Sequence, residues 1–266
     1  MFNKNSSFFI ILFAIFVILF AGGVVFAGSV VHPVENLVGE RMDYDISFLW
    51  FDRLAEGSIR LERGEQPGTY LATMEAKTLG FAAFVTRHRV EKYQTLMEID
   101  ADGFLRPLVH SSHTFKGTGE SRKEKNTTYD FDFLNRQVHY KKLKSQRVVA
   151  DEQFLLETGE SVFDILSAFY NIRLGAFGPF NKDSIHIPTL HRKGVEEIVV
   201  VPINELTGKN EKFFSKKITV CKVLVDPSIF KTNGRELFVG FDEKNRLARG
   251  IIKNVIGLGD VKGVLR

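Results

Sequence analysis

Seven histidines, one cysteine and an Asp–Ser pair on a helix-like stretch are the groups in this 266-residue chain that could carry chemistry. His110 and His113 stand three apart in strand-like sequence. They therefore point to opposite faces, cannot share a metal, and read as surface polar residues. His186 and His191 flank Pro188 in an apparent loop, with no acidic or cysteine ligand at a useful spacing. Asp164 and Ser167 lie three apart, but a nucleophilic serine needs a base and no histidine stands out for that role. The pair reads instead as an acid favoured by the positive first turn of a helix and a small residue packed on a strand. No metalloprotease helix, paired-cysteine motif, phosphate-binding glycine loop or nucleophile elbow is present. The expectation is a non-enzyme with no catalytic residue, no metal and no cofactor.

Cys221 lies in the run Ile218 to Val225, where a buried cysteine behaves as a small apolar side chain. A single cysteine closes no intrachain disulfide, so the fold must rest on a hydrophobic core. Aromatic residues supply the other candidate chemistry. Of 25 phenylalanines, seven fall in residues 1–27, which leaves 18 for the rest of the chain. Phe48, Trp50, Phe81, Phe84, Phe131, Phe133, Phe169 and Tyr170 are the candidate lining of an apolar ligand cavity; the competing reading is that they fill the core. Basic clusters at Lys116–Lys125 and Lys141–Arg147 read as solvated hairpin faces, with docking to anionic lipid headgroups or an acidic partner as the alternative.

The elements that must position these groups are almost all strands. Lys4, the apolar run Phe8–Phe20 and Val25-Phe26-Ala27 read as a secretory signal over residues 1–27. The same stretch, at roughly 20 residues, is long enough for a retained membrane anchor. Either way the chain is exported, most simply to the periplasm, which argues against nucleic-acid and nucleotide chemistry. Without Lys4 the balance is 35 basic against 32 acidic residues, which calls for no polyanionic partner. Residues 28–266 read as a single β-rich domain.

Met42, Tyr44, Ile46, Phe48 and Trp50 alternate with polar residues, the period-2 signature of a half-buried strand. Asp52–Glu56 reads as a turn, Ile59 and Leu61 as a second strand, Arg63–Gly68 as another turn, and Tyr70–Ala76 as a third strand. Leu79–Phe84 is a compact apolar segment with helical character. Strand pattern resumes over Val85–Ile99, and Asp102-Gly103 marks a hairpin. Thr127–Phe133, Val138–Tyr140, Glu196–Ile203, Lys217–Val225, Glu236–Phe241 and Leu247–Val255 complete the expected set. One segment has a different period: Val162, Ile165, Leu166 and Phe169 recur at helical spacing behind Ser161 as cap, and Gly175 ends the helix. The expected fold is mainly β, a curled antiparallel sheet (half-barrel or open barrel) of ten or so strands wrapped around one apolar helix.

Gly39-Glu40-Arg41-Met42-Asp43-Tyr44 resembles the opening of the bacterial family catalogued as domain of unknown function 3108. The helix sequence Asp164–Arg173 and the ending (Leu237–Phe241, Asp242-Glu243, then Gly257-Leu258-Gly259 before Leu265) are similar to it too. Two features depart: Phe238-Val239-Gly240-Phe241 lacks the family's frequent tryptophan, and Leu247-Ala248-Arg249 lacks its proline. The resemblance implies an exported envelope protein with no assigned reaction, and a fold similar to the lipoprotein carriers of the Lol system. There a concave apolar surface with helices across its opening receives acyl chains. The functional expectation is a lipid or other apolar ligand held in a concave sheet, with the helix and the 79–84 segment as lid or floor. The alternative is a solid-cored assembly module that binds another envelope protein. No nucleic-acid partner is expected, and membrane contact is expected only through an uncleaved N-terminus or the basic hairpins.

Overall fold

The computed structural model describes residues 31–48, 51–156, 161–180, 183–191, 194–205, 212–214, 217–227, 232–256 and 259–266. The expected signal or anchor and Trp50 lie outside them. Fourteen strands form one antiparallel sheet: β1 Arg41–Phe48, β2 Phe51–Arg63, β3 Thr69–Thr78, β4 Val90–Ile99, β5 Leu105–Lys116, β6 Lys123–Asp132, β7 Gln137–Lys144, β8 Arg147–Leu155, β9 Ile185–His191, β10 Gly194–Ile203, β11 Thr219–Leu224, β12 Glu236–Phe241, β13 Leu247–Val255 and β14 Gly259–Leu265. Helix α1 spans Gly80–Val85 and helix α2 Ile165–Leu174.

The order runs β8-β7-β6-β5-β4-β3-β2-β1-β14-β13-β12-β11-β10-β9, so the last strand pairs with the first and the two edges are β8 and β9. Short connections between neighbours make this meander the direct outcome of the sequence alternation. Residues 161–163 run beside the β9 edge, where Phe163 N donates to Pro188 O and Leu190 N to Phe163 O, both at 2.9 Å. Pro188 has no N–H to lose, which an edge strand tolerates. The two edges do not pair with each other. Phe131, Val138, Leu156 and Val162, with Leu190 against them, fill the seam.

Helix α2 lies inside the curl. Leu166 and Tyr170 pack with Met42, Tyr44, Leu61 and Ala72 of β1–β3, whereas Ala168 packs with Ile187, Val200, Cys221 and Leu237 of β9–β12. An element with apolar side chains on both flanks must be covered on both, and the sheet curls to cover them. Asp164 rather than Ser161 is the cap: its carboxylate accepts from Leu166 N at 2.8 Å, and the Ser167 hydroxyl accepts from Asp164 N at 2.9 Å. Gly175 closes the helix in the left-handed conformation, at φ 70°.

Asn171 ties the helix to the sheet. Its amide donates to Leu105 O and accepts from Leu105 N, both at 2.9 Å and buried. Asn171→Ala orphans both backbone groups and is expected to cost about 2 kcal/mol in urea denaturation. A loss below roughly 0.5 kcal/mol would show that water replaces the bridge.

Several elements differ from the sequence reading. Asp52–Glu56 is not a turn but part of β2, where charged side chains form cross-strand ion pairs: Lys77 with Glu56 at 2.7 Å and Arg53 with Asp45 at 3.1 Å. Val85 ends α1, and β4 starts only at Val90, because Arg87 and His88 take left-handed backbone conformations between them. His186 and His191 lie on β9, not in a loop. Strand β8 escapes the alternation because a bulge shifts its register between Lys142 and Leu143. Cys221 is buried as expected, and burial pushes its thiol up to about 11.

Candidate functional site

The N-terminus of α2 lies against β4 and β5 and positions a buried, perturbed carboxylate. Asp164 is buried; besides capping the helix it accepts the Thr95 hydroxyl at 2.7 Å and stands 3.1 Å from His110 Nδ1. Burial works against the Asp164 carboxylate, but His110, the Thr95 hydroxyl and the Leu166 amide outweigh it and hold the group below its ordinary value. An ionised carboxylate only accepts, so the hydrogen lies on His110 Nδ1. His110 is thus 8 % exposed and paired, not the surface residue that its strand position suggested. The parity argument still holds, since His113 faces the other way and lies near Glu124.

This His–Asp–Thr group is not a nucleophile relay. Thr95 Oγ1, at 2.9 Å, and Asp164 Oδ1 both address Nδ1, whereas a relay needs acid and nucleophile on opposite ring nitrogens. The group instead fixes the helix start against β4 and β5. No cluster of three or more His, Cys, Asp or Glu among the described residues could hold a metal ion.

His110 also opens a cross-strand row on the inner face. Thr95, His110, Tyr129, Tyr140 and Glu152 stand directly opposite one another across β4–β8. Ring centroids lie 6.0 Å apart for His110–Tyr129 and 4.9 Å for Tyr129–Tyr140. The next row towards the upper end, where β3, β5 and β7 finish, is Tyr93, Ser112, Thr127 and Lys142; the one above it is Glu91, Thr114, Lys125 and Lys144. Burial pushes the Tyr93 hydroxyl up to about 12. Half of the concave face therefore carries hydroxyls, rings and lysines, with Glu91 and Glu152 at its margins, whereas the half made by β9–β12 is apolar. Hydroxyl and ammonium donors side by side suit an oxygen-rich anionic group attached to an apolar body.

With that geometry in place the comparisons are direct. The family described as "Protein of unknown function (DUF3108)" matches residues 43–266. The chain belongs to this family. Among solved structures, the beta-barrel-like protein of domain of unknown function DUF1849 from Brucella abortus is similar, with a TM-score of 0.48 and 14 % identity, covering 86 % of this chain and 96 % of that one. No curated protein matches the sequence. The family match bears out the DUF3108 resemblance read from residues 39–44, 164–173 and the C-terminal strands, and the sheet itself bears out the curled antiparallel fold.

Of the eight aromatic residues proposed as a lining, the seven described do not meet in one place in this DUF3108 member. Trp50 lies outside the described residues, and Phe48 ends β1, half-buried. Phe131 belongs to the seam cluster, with Phe133 stacked on it at 5.8 Å and the Arg106 guanidinium over Phe133 at 5.0 Å. Phe169 and Tyr170 meet edge to face at 5.2 Å and pack into the β1–β4 core. Phe81 and Phe84 are each 75 % exposed on α1, at the upper end of the sheet. Spacing alone could not sort these residues, because which aromatic is core and which is rim depends on the curl. The inner rows over β4–β8 went unnoticed for the same reason; their only sequence signal was strand alternation with polar residues on both faces.

Proposed function

We propose that this DUF3108 protein is a non-catalytic cell-envelope protein that holds an amphiphilic lipid by its anionic headgroup against the inner wall of β4–β8. The observation that carries this is the pair of stacked rows, Thr95–His110–Tyr129–Tyr140 and Tyr93–Ser112–Thr127–Lys142, on the concave face opposite an apolar wall. The half-buried Tyr93, Ser112 and Tyr129 hydroxyls and Lys142 would fix the headgroup, while acyl carbons gain roughly 25 cal/mol per Å² of apolar surface they cover. The export reading of residues 1–27 supports the envelope setting.

The test is intact mass spectrometry of protein gently purified from its native envelope, repeated after organic extraction. A stoichiometric anionic lipid is expected. In Lys142→Met its occupancy should fall by at least half, while the melting temperature stays within about 2 °C, as befits a half-buried residue whose stem is kept. An unchanged load in that variant overturns the assignment of the headgroup.

A second reading rests on the β8 edge. There Val148, Val149 and Leu155 are exposed, and the strand's outer side pairs with no other described strand. An extended segment of an envelope protein could add to it. Ligand-free masses from several preparations, together with a protein cross-linked at Val149, would favour this assembly role.

A further inference from the structure

Helix α1 breaks the usual rule for a short amphipathic segment: Ala82 and Ala83 face the sheet, and the larger apolar side chains face outwards. Phe81 and Phe84 are 75 % exposed and Val85 61 %. Leaving two phenylalanines and a valine wet on one helical turn forgoes burial that core packing would supply, and a contiguous patch of this kind marks a contact surface.

What surrounds the patch decides its occupant. The β5–β6 hairpin is bonded directly to the α1–β4 connection, with Gly117 N donating to Arg87 O at 2.5 Å. The β7–β8 turn is bonded to β6 through Ser145 N and Glu124 O at 2.8 Å. These two hairpins place Lys116 directly opposite Lys123, and Lys144 directly opposite Arg147. Like charges facing each other across strands are destabilising. Arg87, Lys116, Lys123, Lys144 and Arg147 form no ion pair among the described residues; of the carboxylates at this end Glu91 is taken by Arg89, Glu124 lies 3.8 Å from His113 and Glu120 stands at the hairpin tip. The rim thus combines protruding apolar rings with clustered cations lacking counter-ions.

We propose that α1 and the two basic hairpins beside it form a docking rim that seats the upper end of the sheet on an anionic lipid bilayer. Phe81, Phe84 and Val85 enter the headgroup–acyl boundary, and the lysines and arginines meet lipid phosphates. A protein partner would be expected to match such cations with fixed carboxylates, whereas a bilayer supplies the anions at any spacing. The rim does not require a ligand on the inner wall, so either proposal can fail alone.

The test uses the full chain with Phe84→Cys carrying an environment-sensitive nitrobenzoxadiazole dye; Cys221, buried with its thiol pushed up, stays unlabelled. A second protein carries the dye at Leu134→Cys, a fully wet site on the β6–β7 turn at the opposite end of the sheet. Vesicles of phosphatidylglycerol and phosphatidylcholine should shift the Phe84 dye to the blue and leave the Leu134 dye unmoved, whereas pure phosphatidylcholine should shift neither. Lys123→Gln with Lys144→Gln should weaken the response about 30-fold, because each basic charge near an anionic surface is worth roughly a factor of five. Added Phe81→Ser should also weaken it without moving the melting temperature. Equal shifts at both dyes, a shift indifferent to the lysines, or no shift overturns the rim. So does a shift that grows with protein concentration in the absence of lipid, which assigns the patch to a second copy. A shift produced only by vesicle-free envelope extract assigns it to a protein instead.

Discussion

Arg173→Met should lower stability by about 3 kcal/mol, a drop of roughly 6–12 °C in melting temperature for a domain of this size. Arg173 is the last-turn cation of α2, and its side chain is almost wholly buried. The guanidinium donates through both terminal nitrogens to the Glu40 carboxylate, and through Nε to Asn245 O at 2.8 Å. It therefore ties the helix end to the chain entering β1 and to the β12–β13 turn. Phe169 and Tyr170 stack beneath it, each ring centroid 5.8 Å from its central carbon. Methionine keeps much of the stem but leaves Glu40 in a largely desolvated place without a cation. That orphaned charge carries most of the expected loss. Arg173→Met combined with Glu40→Leu should recover part of it, and urea denaturation of the four proteins measures the coupling. A single-variant loss below about 1 kcal/mol would mean that water already carries Glu40.

Asp164→Ala should also cost about 3 kcal/mol at neutral pH, since it removes the helix cap, takes the acceptor from the buried Thr95 hydroxyl and leaves His110 Nδ1 with Thr95 Oγ1 alone. The same carboxylate should be visible in the pH dependence. Its folded-state pKa lies below the ordinary 3.8, so folding favours the ionised form. The stabilisation is then fully present above that ordinary value and drains away as pH falls through the lower folded value. Below about pH 4 the wild type should lose stability faster than Asp164→Asn, whose curve lacks this contribution. Parallel acid limbs for the two proteins would show that Asp164 titrates as in the unfolded chain. Other depressed carboxylates, Asp242 and Asp260 among them, add to the acid slope in both proteins and cancel in the comparison.

Much of this fold is legible in the sequence. Strands β12 and β13 fall on Glu236–Phe241 and Leu247–Val255 as the alternation indicated, and Arg63–Gly68 turns where glycine and proline supply the dihedrals. The helix was recognisable from its spacing and from the Gly175 stop. These features are local: each depends on residues within a few positions, where dihedral preference and side-chain period act directly. Three misreadings share another cause. The Asp52–Glu56 charges looked like a turn because their ion-pair partners lie in other parts of the chain. His110 looked superficial because Thr95 is 15 residues away and Asp164 is 54. The eight aromatics looked like one lining because composition counts rings without placing them.

The sequence alone therefore determined most of the element types, the antiparallel meander, the buried cysteine, the family and the helix that the sheet must cover. All follow from periodicity and short-range chemistry. Only the tertiary structure decided which faces meet: that β1 pairs with β14 to join the two halves, that Asp164 finds His110, that Arg173 finds Glu40, and that Phe81 and Phe84 remain outside beside two lysine hairpins. The sign and radius of a sheet's curl are set by the sum of many strand twists and by the volume of what it encloses. No single stretch of residues encodes that sum, so the positions of the inner face and the upper end emerge only when the whole sheet has curled around α2.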